Sequence, residues 1–199
     1  MKTENTELIK QARESLTGKW SLAIGTFIVY ILVILTIQLI PIAGIIATLL
    51  ITGPMNLGLV IFSLSISRNQ DAELGQLFEG FKKFGVALSA YLLVALFTLL
   101  WMFLLIIPGI IKAISYSMTF YIIADDDNIG AMDAIDKSML MMEGNKLKYF
   151  YLCLRFVGLA LLCVITLGIG FLWLIPFAQI TMTKFYEDVK GNQLETEIS

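Results

Sequence analysis

The sequence of 199 residues contains no histidine, only two cysteines and four prolines, and few charged side chains. Without histidine the protein lacks the commonest metal ligand, the commonest general base and every HExxH-type motif. Only 15% of the residues are charged, against about 25% in soluble domains, and 58% are hydrophobic. A net charge of −2 argues against nucleic acid as a partner, because binding it requires a concentrated basic surface. These features indicate an integral membrane protein.

Enzyme motifs are equally scarce. No GxSxG, P-loop or dinucleotide fingerprint occurs in the sequence. Asp125-Asp126-Asp127 is interpreted as a solvated helix start rather than a cation site, because consecutive side chains point in different directions. Cys153 and Cys163, both in apolar surroundings, are interpreted as packing residues. We therefore expect a protein that is not an enzyme, with no catalytic residue, metal site or cofactor.

The longest uncharged stretch runs from Trp20 to Ser67 and holds 48 residues. Since about 20 apolar residues cross the ~30 Å hydrocarbon layer, this stretch predicts two crossings joined by a tight turn. The segment Ile40-Pro41-Ile42-Ala43-Gly44 predicts the turn, because proline ends helices and glycine is permissive. Gly53-Pro54 predicts a kink in the second crossing.

Two later apolar stretches predict two more hairpins. One has its tip at Ile107-Pro108-Gly109, and the other covers about 149–186 with its tip at Leu167-Gly168-Ile169-Gly170. The predicted fold is therefore an all-α membrane bundle of six transmembrane helices in three tight hairpins. The polar tail from Glu187 to Ser199 is expected to be disordered beyond its first few residues.

A polar segment with helical periodicity precedes each hairpin. The apolar stripes of the three segments are Leu8, Ile9, Ala12 and Leu16; Leu74, Leu77, Phe78 and Phe81; and Met132, Ile135, Met139 and Met142. Each stripe predicts an amphipathic helix lying in the membrane interface. The predicted N-caps are Thr6, then Asn69 or Asp71, then Asp127 or Asn128.

The three segments and their hairpins resemble one unit repeated three times. Each segment ends in a glycine, Gly18, Gly80 or Gly144, followed by a basic residue and an aromatic one, at spacings of 62 and 64 residues (80 − 18 and 144 − 80). The predicted units are about 1–67, 68–127 and 128–188, with a tail at 189–199, in a single membrane domain, 1–199. The alternative is that the interface selects basic and aromatic flanks for any hairpin.

The distribution of charge predicts the orientation. The face that carries the amphipathic segments holds 13 of the 14 lysines and arginines. Because basic residues are retained in the cytoplasm, both termini are predicted to be cytoplasmic.

Three stretches carry a resemblance to a known family: Gln11 to Trp20 (QARESLTGKW), Ala134 to Lys146 (AIDKSMLMMEGNK) and Leu167 to Tyr186 (LGIGFLWLIPFAQITMTKFY). The chain resembles the uncharacterised bacterial membrane family catalogued as domain of unknown function nine-seven-five. That family is distantly similar to the membrane domain attached to some bacterial glycerophosphodiester phosphodiesterases. The resemblance implies a multi-pass protein of the bacterial plasma membrane and supplies no activity.

Polar side chains at membrane depth are the candidate intramembrane site, because such groups are costly there. Asn56 and Gln179 each follow a proline in a descending arm, and Tyr116 occupies the corresponding place in the second hairpin. The alternative is a structural role in hydrogen bonds between helices, worth ~0.6 kcal/mol each on average.

Basic residues near the ends of the apolar stretches are candidate contacts to lipid headgroups or other anions. They are Lys82, Lys83, Lys112, Lys146, Lys148 and Arg155. Lys112 is predicted to be the sole basic residue near the outer face, and both Lys112 and Arg155 are expected to snorkel to water.

The expected function is a membrane scaffold or a module that interacts with lipids or a partner. The predicted partners are membrane lipids and either a second copy of this chain or another membrane protein. A small-molecule transporter or channel is the first alternative, because repeated hairpins with broken arms and midplane amides occur in transporters. An immunity or stress protein that protects the membrane is the second.

Overall fold

The structure, a computed structural model, describes residues 3–40 and 43–198, and the regular elements among them are all helical. In chain order they are α1 Asn5–Leu16, α2 Trp20–Gln38, α3 Ala43–Ser67, the 3-10 helix η1 Leu74–Lys83, α4 Phe84–Leu104, α5 Ile106–Ser115, α6 Thr119–Asp125, α7 Ala131–Met141, α8 Lys146–Ile165 and α9 Phe171–Ile198.

Five helical stretches in the described part of the chain are long and apolar enough to cross a membrane. They are Trp20–Gln38, Gly44–Ser67, Leu74–Leu104, Ile106–Asp125 and Lys146–Ile165. Helix α9 is not among them, because its uncharged part before Lys184 has 13 residues (183 − 171 + 1). At 1.5 Å per residue this part measures about 20 Å, less than the ~30 Å hydrocarbon layer. The sixth crossing therefore stays a prediction.

The first and third hairpin turns fall near the predicted residues. Helix α2 ends at Gln38 and α3 begins at Ala43, although Pro41 and Ile42 of the predicted tip lie outside the described residues. In the third hairpin the backbone leaves α8 after Ile165 through Leu167 and Gly168, both with positive φ.

The second turn falls earlier than predicted. Helix α4 ends at Leu104, Leu105 is extended, and α5 begins at Ile106, so Pro108 lies in the first turn of α5 rather than at the tip. A proline is tolerated there because the first N–H groups of a helix have no intrahelical partner.

The predicted N-caps are wrong. Asn69 has a φ of 55° and follows the end of α3, where the Gln70 amide donates to the Ser65 carbonyl at 2.8 Å. Asn69 thus ends α3 in a left-handed conformation, which asparagine tolerates better than most residues. The N-cap residue of α1 is Glu4, which makes no side-chain capping bond, and that of α7 is Gly130, which has no side chain to cap with.

The chain divides into two compact units, each built from separate segments. The first contains Met1–Val29, Phe62–Leu74 and Leu147–Ser199, and the second contains Tyr30–Ile61 and Gly75–Lys146. The predicted division into three repeats is a different partition and stays a prediction.

In the first unit, α1 packs along α9. Ala12 and Leu16 of α1 join a buried cluster with Phe62, Ile66 and Ile180. Most of the apolar stripe that predicted an interfacial helix is therefore covered by protein, since Leu8, Ala12 and Leu16 are at most 1% exposed, whereas Ile9 is half-buried. A stripe of this kind does not distinguish a lipid surface from a protein surface.

Helix α9 continues to Ile198, so the expectation of a largely disordered tail is wrong. Tyr186 and Val189 are buried, and Asp188 bonds both α8 and the N-terminal segment. These contacts come from distant parts of the chain and order a segment whose own composition is polar.

In the second unit, α4 packs against α5, α6 and α7. The close approach of α3 to α4 depends on Gly53, where an added Cβ would lie 2.6 Å from the Ala87 carbonyl oxygen.

The ends of the hairpins are exposed and apolar, with Leu39, Phe103 and Leu167 between 81% and 93% exposed. Apolar surface on this scale is typical of contact with lipid rather than water.

Candidate functional site

The second amphipathic segment folds as the ten-residue 3-10 helix η1 instead of the predicted α-helix. A 3-10 helix has three residues per turn, so residues three apart share a face. The three faces are Leu74-Leu77-Gly80-Lys83, Gly75-Phe78-Phe81 continued by Phe84, and Gln76-Glu79-Lys82. The predicted stripe of Leu74, Leu77, Phe78 and Phe81 is consequently split between two faces.

The inward face of η1 rests on the backbone of α3. Leu77 is fully buried, and its carbonyl lies against Gly58. Gly80 lies against the Pro54 carbonyl in the same way, leaving no room for a Cβ at either glycine. Gly58 of α3 faces η1, and Gly80 of η1 faces α3. Because neither residue has a side chain, η1 approaches α3 more closely than larger residues would allow.

The aromatic face of η1 is exposed. Phe78, Phe81 and Phe84 are 44%, 37% and 40% exposed, and the rings of Phe81 and Phe84 stack with centroids 6.4 Å apart. The neighbouring face carries Lys82, whose ammonium lies 3.0 Å from Glu79 while 75% of its side chain is exposed. Exposed phenyl rings beside an exposed ammonium are typical of a helix anchored in a membrane interface.

The other two amphipathic segments present less apolar surface. Three of the four residues in the α1 stripe are buried, as described above. In α7 and the turn that follows it, Ile135 and Met142 are buried, whereas Met132 and Leu140 are exposed. η1 is therefore the segment whose described residues combine exposed aromatic rings with an exposed basic side chain.

Lys83, a predicted headgroup contact, bonds groups within the protein. Its Nζ donates to the carbonyls of Ile123 at 2.6 Å and Asp126 at 3.2 Å, and lies 2.6 Å from an Asp127 carboxylate oxygen. The ammonium thus satisfies carbonyls at the end of α6, where a cation also suits the helix dipole. The hydrogen bond from Lys83 lowers the pKa of the Asp127 carboxyl.

Lys148 is likewise engaged within the protein. Its Nζ lies 2.6 Å from Asp188 Oδ2 and 5.5 Å from the centre of the Phe185 ring, and its side chain is only 16% exposed. Thr3 completes the arrangement, because its amide donates to Asp188 Oδ1 at 3.1 Å and its hydroxyl donates to the same oxygen. This ion pair joins α8, α9 and the residues before α1, so Lys148 is not a free headgroup contact.

Of the remaining basic candidates, Arg155 is exposed and donates from Nη1 to the Thr6 hydroxyl at 3.2 Å. Lys146 is half-buried at the start of α8. Lys112 lies 5.2 Å from the centre of the Trp101 ring and 3.9 Å from the Met139 sulfur. The sequence predicted Lys112 to be the sole basic residue near the outer face. In the structure it contacts Met139, which belongs to the third amphipathic segment.

The three intramembrane polar candidates have separate surroundings. Asn56 accepts a hydrogen bond from the Tyr30 hydroxyl at 3.0 Å in the second unit. Tyr116 is buried in the same unit, with its ring centre 6.3 Å from that of Phe97. Gln179 belongs to the first unit, where it lines an apolar groove of about 400 Å³ between α8 and α9. Among the described contacts, Asn56 and Tyr116 thus serve packing between helices.

Sequence reasoning missed Ser138. Helix α5 ends at Ser115 and α6 begins at Thr119, and Ser138 of α7 bridges the break between them. Its hydroxyl donates to the Ser115 carbonyl at 2.8 Å and accepts from the Met118 amide at 3.1 Å. The polar run Ser115-Tyr116-Ser117 inside an apolar stretch was the signal that the arm would break there.

Replacing Ser138 by alanine should lower the free energy of unfolding by about 1–3 kcal/mol, because a buried amide and carbonyl lose their partner. Ser89→Ala is the control, since Ser89 bonds only carbonyls of its own helix, Gly85 and Val86. Denaturant unfolding in detergent micelles measures both. Equal stability of the two variants would show that Ser138 does not support the break.

No group of three or more histidine, cysteine, aspartate or glutamate side chains that could hold a metal ion occurs in residues 3–40 and 43–198. A pocket of about 470 Å³ beside η1 is lined by Lys82, Lys83, Glu79 and Asp127, but each lysine there faces a carboxylate. The charges balance, so this pocket does not present a net positive site for an anion.

The fold and these contacts define an all-helical protein with several helices able to span a membrane. The family described as Protein of unknown function (DUF975) matches residues 1–115 and 102–193. These matches extend over most of the chain, which belongs to this family. No curated protein and no solved structure matches the chain.

Proposed function

We propose that this chain is a non-enzymatic integral membrane protein that acts as a membrane scaffold and contacts lipid headgroups through η1. The observation that carries the proposal is the exposed aromatic face of Phe78, Phe81 and Phe84 beside Lys82. Phenyl rings favour the interface, and a lysine near an anionic surface contributes about 1 kcal/mol of attraction.

The proposal includes the orientation that charge predicts. Both termini and η1 lie on the cytoplasmic side of a bacterial plasma membrane, and α9 makes the sixth crossing with the help of its packing against α1. The retention of basic residues in the cytoplasm supports this orientation. The proposal includes the distant similarity to the membrane domain of glycerophosphodiester phosphodiesterases, which would agree with a role at lipid headgroups.

A common packing rule supports the threefold repeat within this proposal. Each amphipathic segment packs on the descending arm of a hairpin: η1 on α3 at Pro54 and Gly58, α7 on the break after Ser115, and α1 on α9. Three equivalent units would produce this relation between segment and arm. The scaffold would then consist of three equivalent hairpins.

The depth of η1 in the membrane tests the proposal. A variant with Cys153 and Cys163 replaced by alanine and Phe81→Cys added is labelled with a fluorophore and reconstituted into vesicles containing anionic lipid. Because the proposal sets residue 81 at headgroup depth, we expect severalfold stronger quenching by a nitroxide on the headgroup than by aqueous iodide.

Lys10→Cys in the same background is the matched control, because Lys10 is an exposed residue of α1 and should be reached by iodide. If the label at residue 81 responds to iodide as the label at residue 10 does, η1 does not lie in the interface. Protection of residue 81 from both quenchers would also refute the proposal and would indicate a protein partner on this face.

A further inference from the structure

The hairpin of α8 and α9 carries an apolar groove of about 370 Å³ in the first unit. Its walls include Trp20, Leu159, Leu162, Trp173 and Phe177, and Thr166 lies at the end nearest the turn. The groove extends from Leu159 of α8 to Thr166, the residue after the end of α8, a distance of about 10 Å. Because α8 is long and apolar enough to span a membrane, we expect the groove to open to hydrocarbon rather than to water.

A basic side chain precedes the lining of this groove on the same face of α8. Arg155 precedes Leu159 by one turn, and residues 155, 159, 162 and 166 follow each other at the three- and four-residue steps that define one face of a helix. The guanidinium is exposed and reaches back to Thr6 in the first turn of α1. Arg155 lies about 13 Å along α8 from Lys146, within reach of the polar layer for a long side chain.

We propose that this groove binds an anionic glycerophospholipid, with one acyl chain along the groove and the phosphate at Arg155. The apolar walls match an acyl chain, and the guanidinium, which presents paired N–H donors, matches a phosphate. Trp20 lines the groove with an amphipathic indole, a side chain that favours the level of lipid headgroups. The site differs from η1, which belongs to the second unit from Gly75 onward, and does not depend on it.

The groove on the opposite side of the hairpin provides a contrast. It has a similar volume and is lined by Cys153, Phe156, Gln179 and Met182. Neither groove has a basic side chain in its described lining, but Arg155 shares the face of α8 that carries Leu159 and Leu162, whereas Cys153 and Phe156 lie on other faces of that helix. An annular lipid would occupy either groove without regard to its headgroup. Selectivity for an anionic headgroup is therefore expected at the groove that lies on the same face of α8 as Arg155.

Two of the three tryptophans, Trp20 and Trp173, line the groove, which makes their fluorescence a direct reporter. The parent for the experiment carries Trp101→Phe and is reconstituted with brominated phosphatidylglycerol or brominated phosphatidylcholine of identical chains. We expect phosphatidylglycerol to quench at about fivefold lower mole fraction, the effect of one basic residue near the surface. Arg155→Gln should remove this preference, while Lys10→Gln, with the same change in charge, should keep it.

A second pair of variants tests the acyl chain. Leu162→Phe fills the groove and should reduce quenching by both lipids, whereas Leu161→Phe, an equally conservative change at an exposed residue outside the groove lining, should not. An unchanged headgroup preference in Arg155→Gln, or unchanged quenching in Leu162→Phe, would refute the proposal. If Arg155→Gln does not fold, the parent alone tests the proposal. High salt should weaken a headgroup preference that is based on charge, so a preference that does not change with salt would refute the proposal.

Discussion

Replacing Gly58 by alanine should destabilise the protein by about 3 kcal/mol or more, the upper part of the range for overpacked cores. The added methyl group would overlap the Leu77 carbonyl, and the Gln76 carbonyl oxygen would lie 3.1 Å away. Backbone atoms cannot move aside as the end of a flexible side chain can, so η1 would have to leave its place on α3. Thermal or denaturant unfolding of the purified protein in detergent micelles measures the loss.

Gly75→Ala is the matched control for this experiment. Gly75 belongs to η1 itself, yet a Cβ added there meets nothing within 4 Å. That variant should be neutral or slightly stabilising, by at most about 1 kcal/mol, because alanine reduces the entropy of the unfolded chain. If Gly58→Ala and Gly75→Ala unfold alike, the close contact of η1 with α3 is absent in solution.

The second large effect is expected for Lys148→Met. Lys148 and Asp188 form a pair at 2.6 Å with side chains that are 16% and 8% exposed. Removing the ammonium leaves a buried carboxylate with only the Thr3 donors, which costs about 3–5 kcal/mol in comparable cases. Unfolding measurements at pH 7 should show this loss.

Lys10→Met provides the comparison for Lys148→Met. Lys10 pairs with Glu7 at 3.9 Å, but the two side chains are 64% and 46% exposed. Exposed pairs of this kind contribute about 0–1 kcal/mol, so the control should remain near the parent in stability. Similar losses in both variants would mean that the Lys148–Asp188 pair is not sequestered from water.

The same pair predicts a dependence of stability on pH. Burial acts to raise the pKa of Asp188, but hydrogen bonds from Lys148 and Thr3 outweigh it and lower this pKa below its ordinary value of 3.8. A lowered pKa means that the stabilisation is complete above pH ~4 and is lost as the pH falls through the folded-state value. The parent should therefore weaken between about pH 4 and pH 2.

In Lys148→Met this pH dependence should flatten or reverse, because Asp188 would keep the cost of burial without its cationic partner. Denaturant midpoints compared at pH 6 and pH 2 for both proteins decide the point. If Lys148→Met loses as much stability as the parent between pH 6 and pH 2, Asp188 is not the group that causes the dependence of stability on pH.

The long apolar helices were predictable because their signal is local. Trp20–Gln38, Gly44–Ser67 and Lys146–Ile165 are uninterrupted or nearly uninterrupted apolar stretches of membrane length, and no distant contact is needed to recognise them. The breaks between α2 and α3 and between α8 and α9 were marked by proline and glycine. Pro108 misled because proline is as acceptable in the first turn of a helix as in the turn before it.

The surroundings of the basic residues were not predictable. Lys82 and Lys83 are neighbours in sequence, yet Lys82 is exposed and Lys83 holds the end of α6. Lys146 and Lys148 are both partly buried, yet the ion pair with Asp188 is made by Lys148. A sequence shows where charge accumulates, whereas the partner of each charge depends on segments far along the chain.

The sequence by itself determined that this protein is helical, rich in membrane-length apolar segments and poor in the side chains of catalysis, because hydrophobicity and residue type are properties of single stretches. Only the tertiary structure decided that α1 packs on α9, that η1 exposes its phenyl rings, and that Arg155 reaches Thr6 of α1. An amphipathic stripe or a lone arginine has the same appearance whether protein or lipid covers it, and the distinction arises only when distant helices pack together.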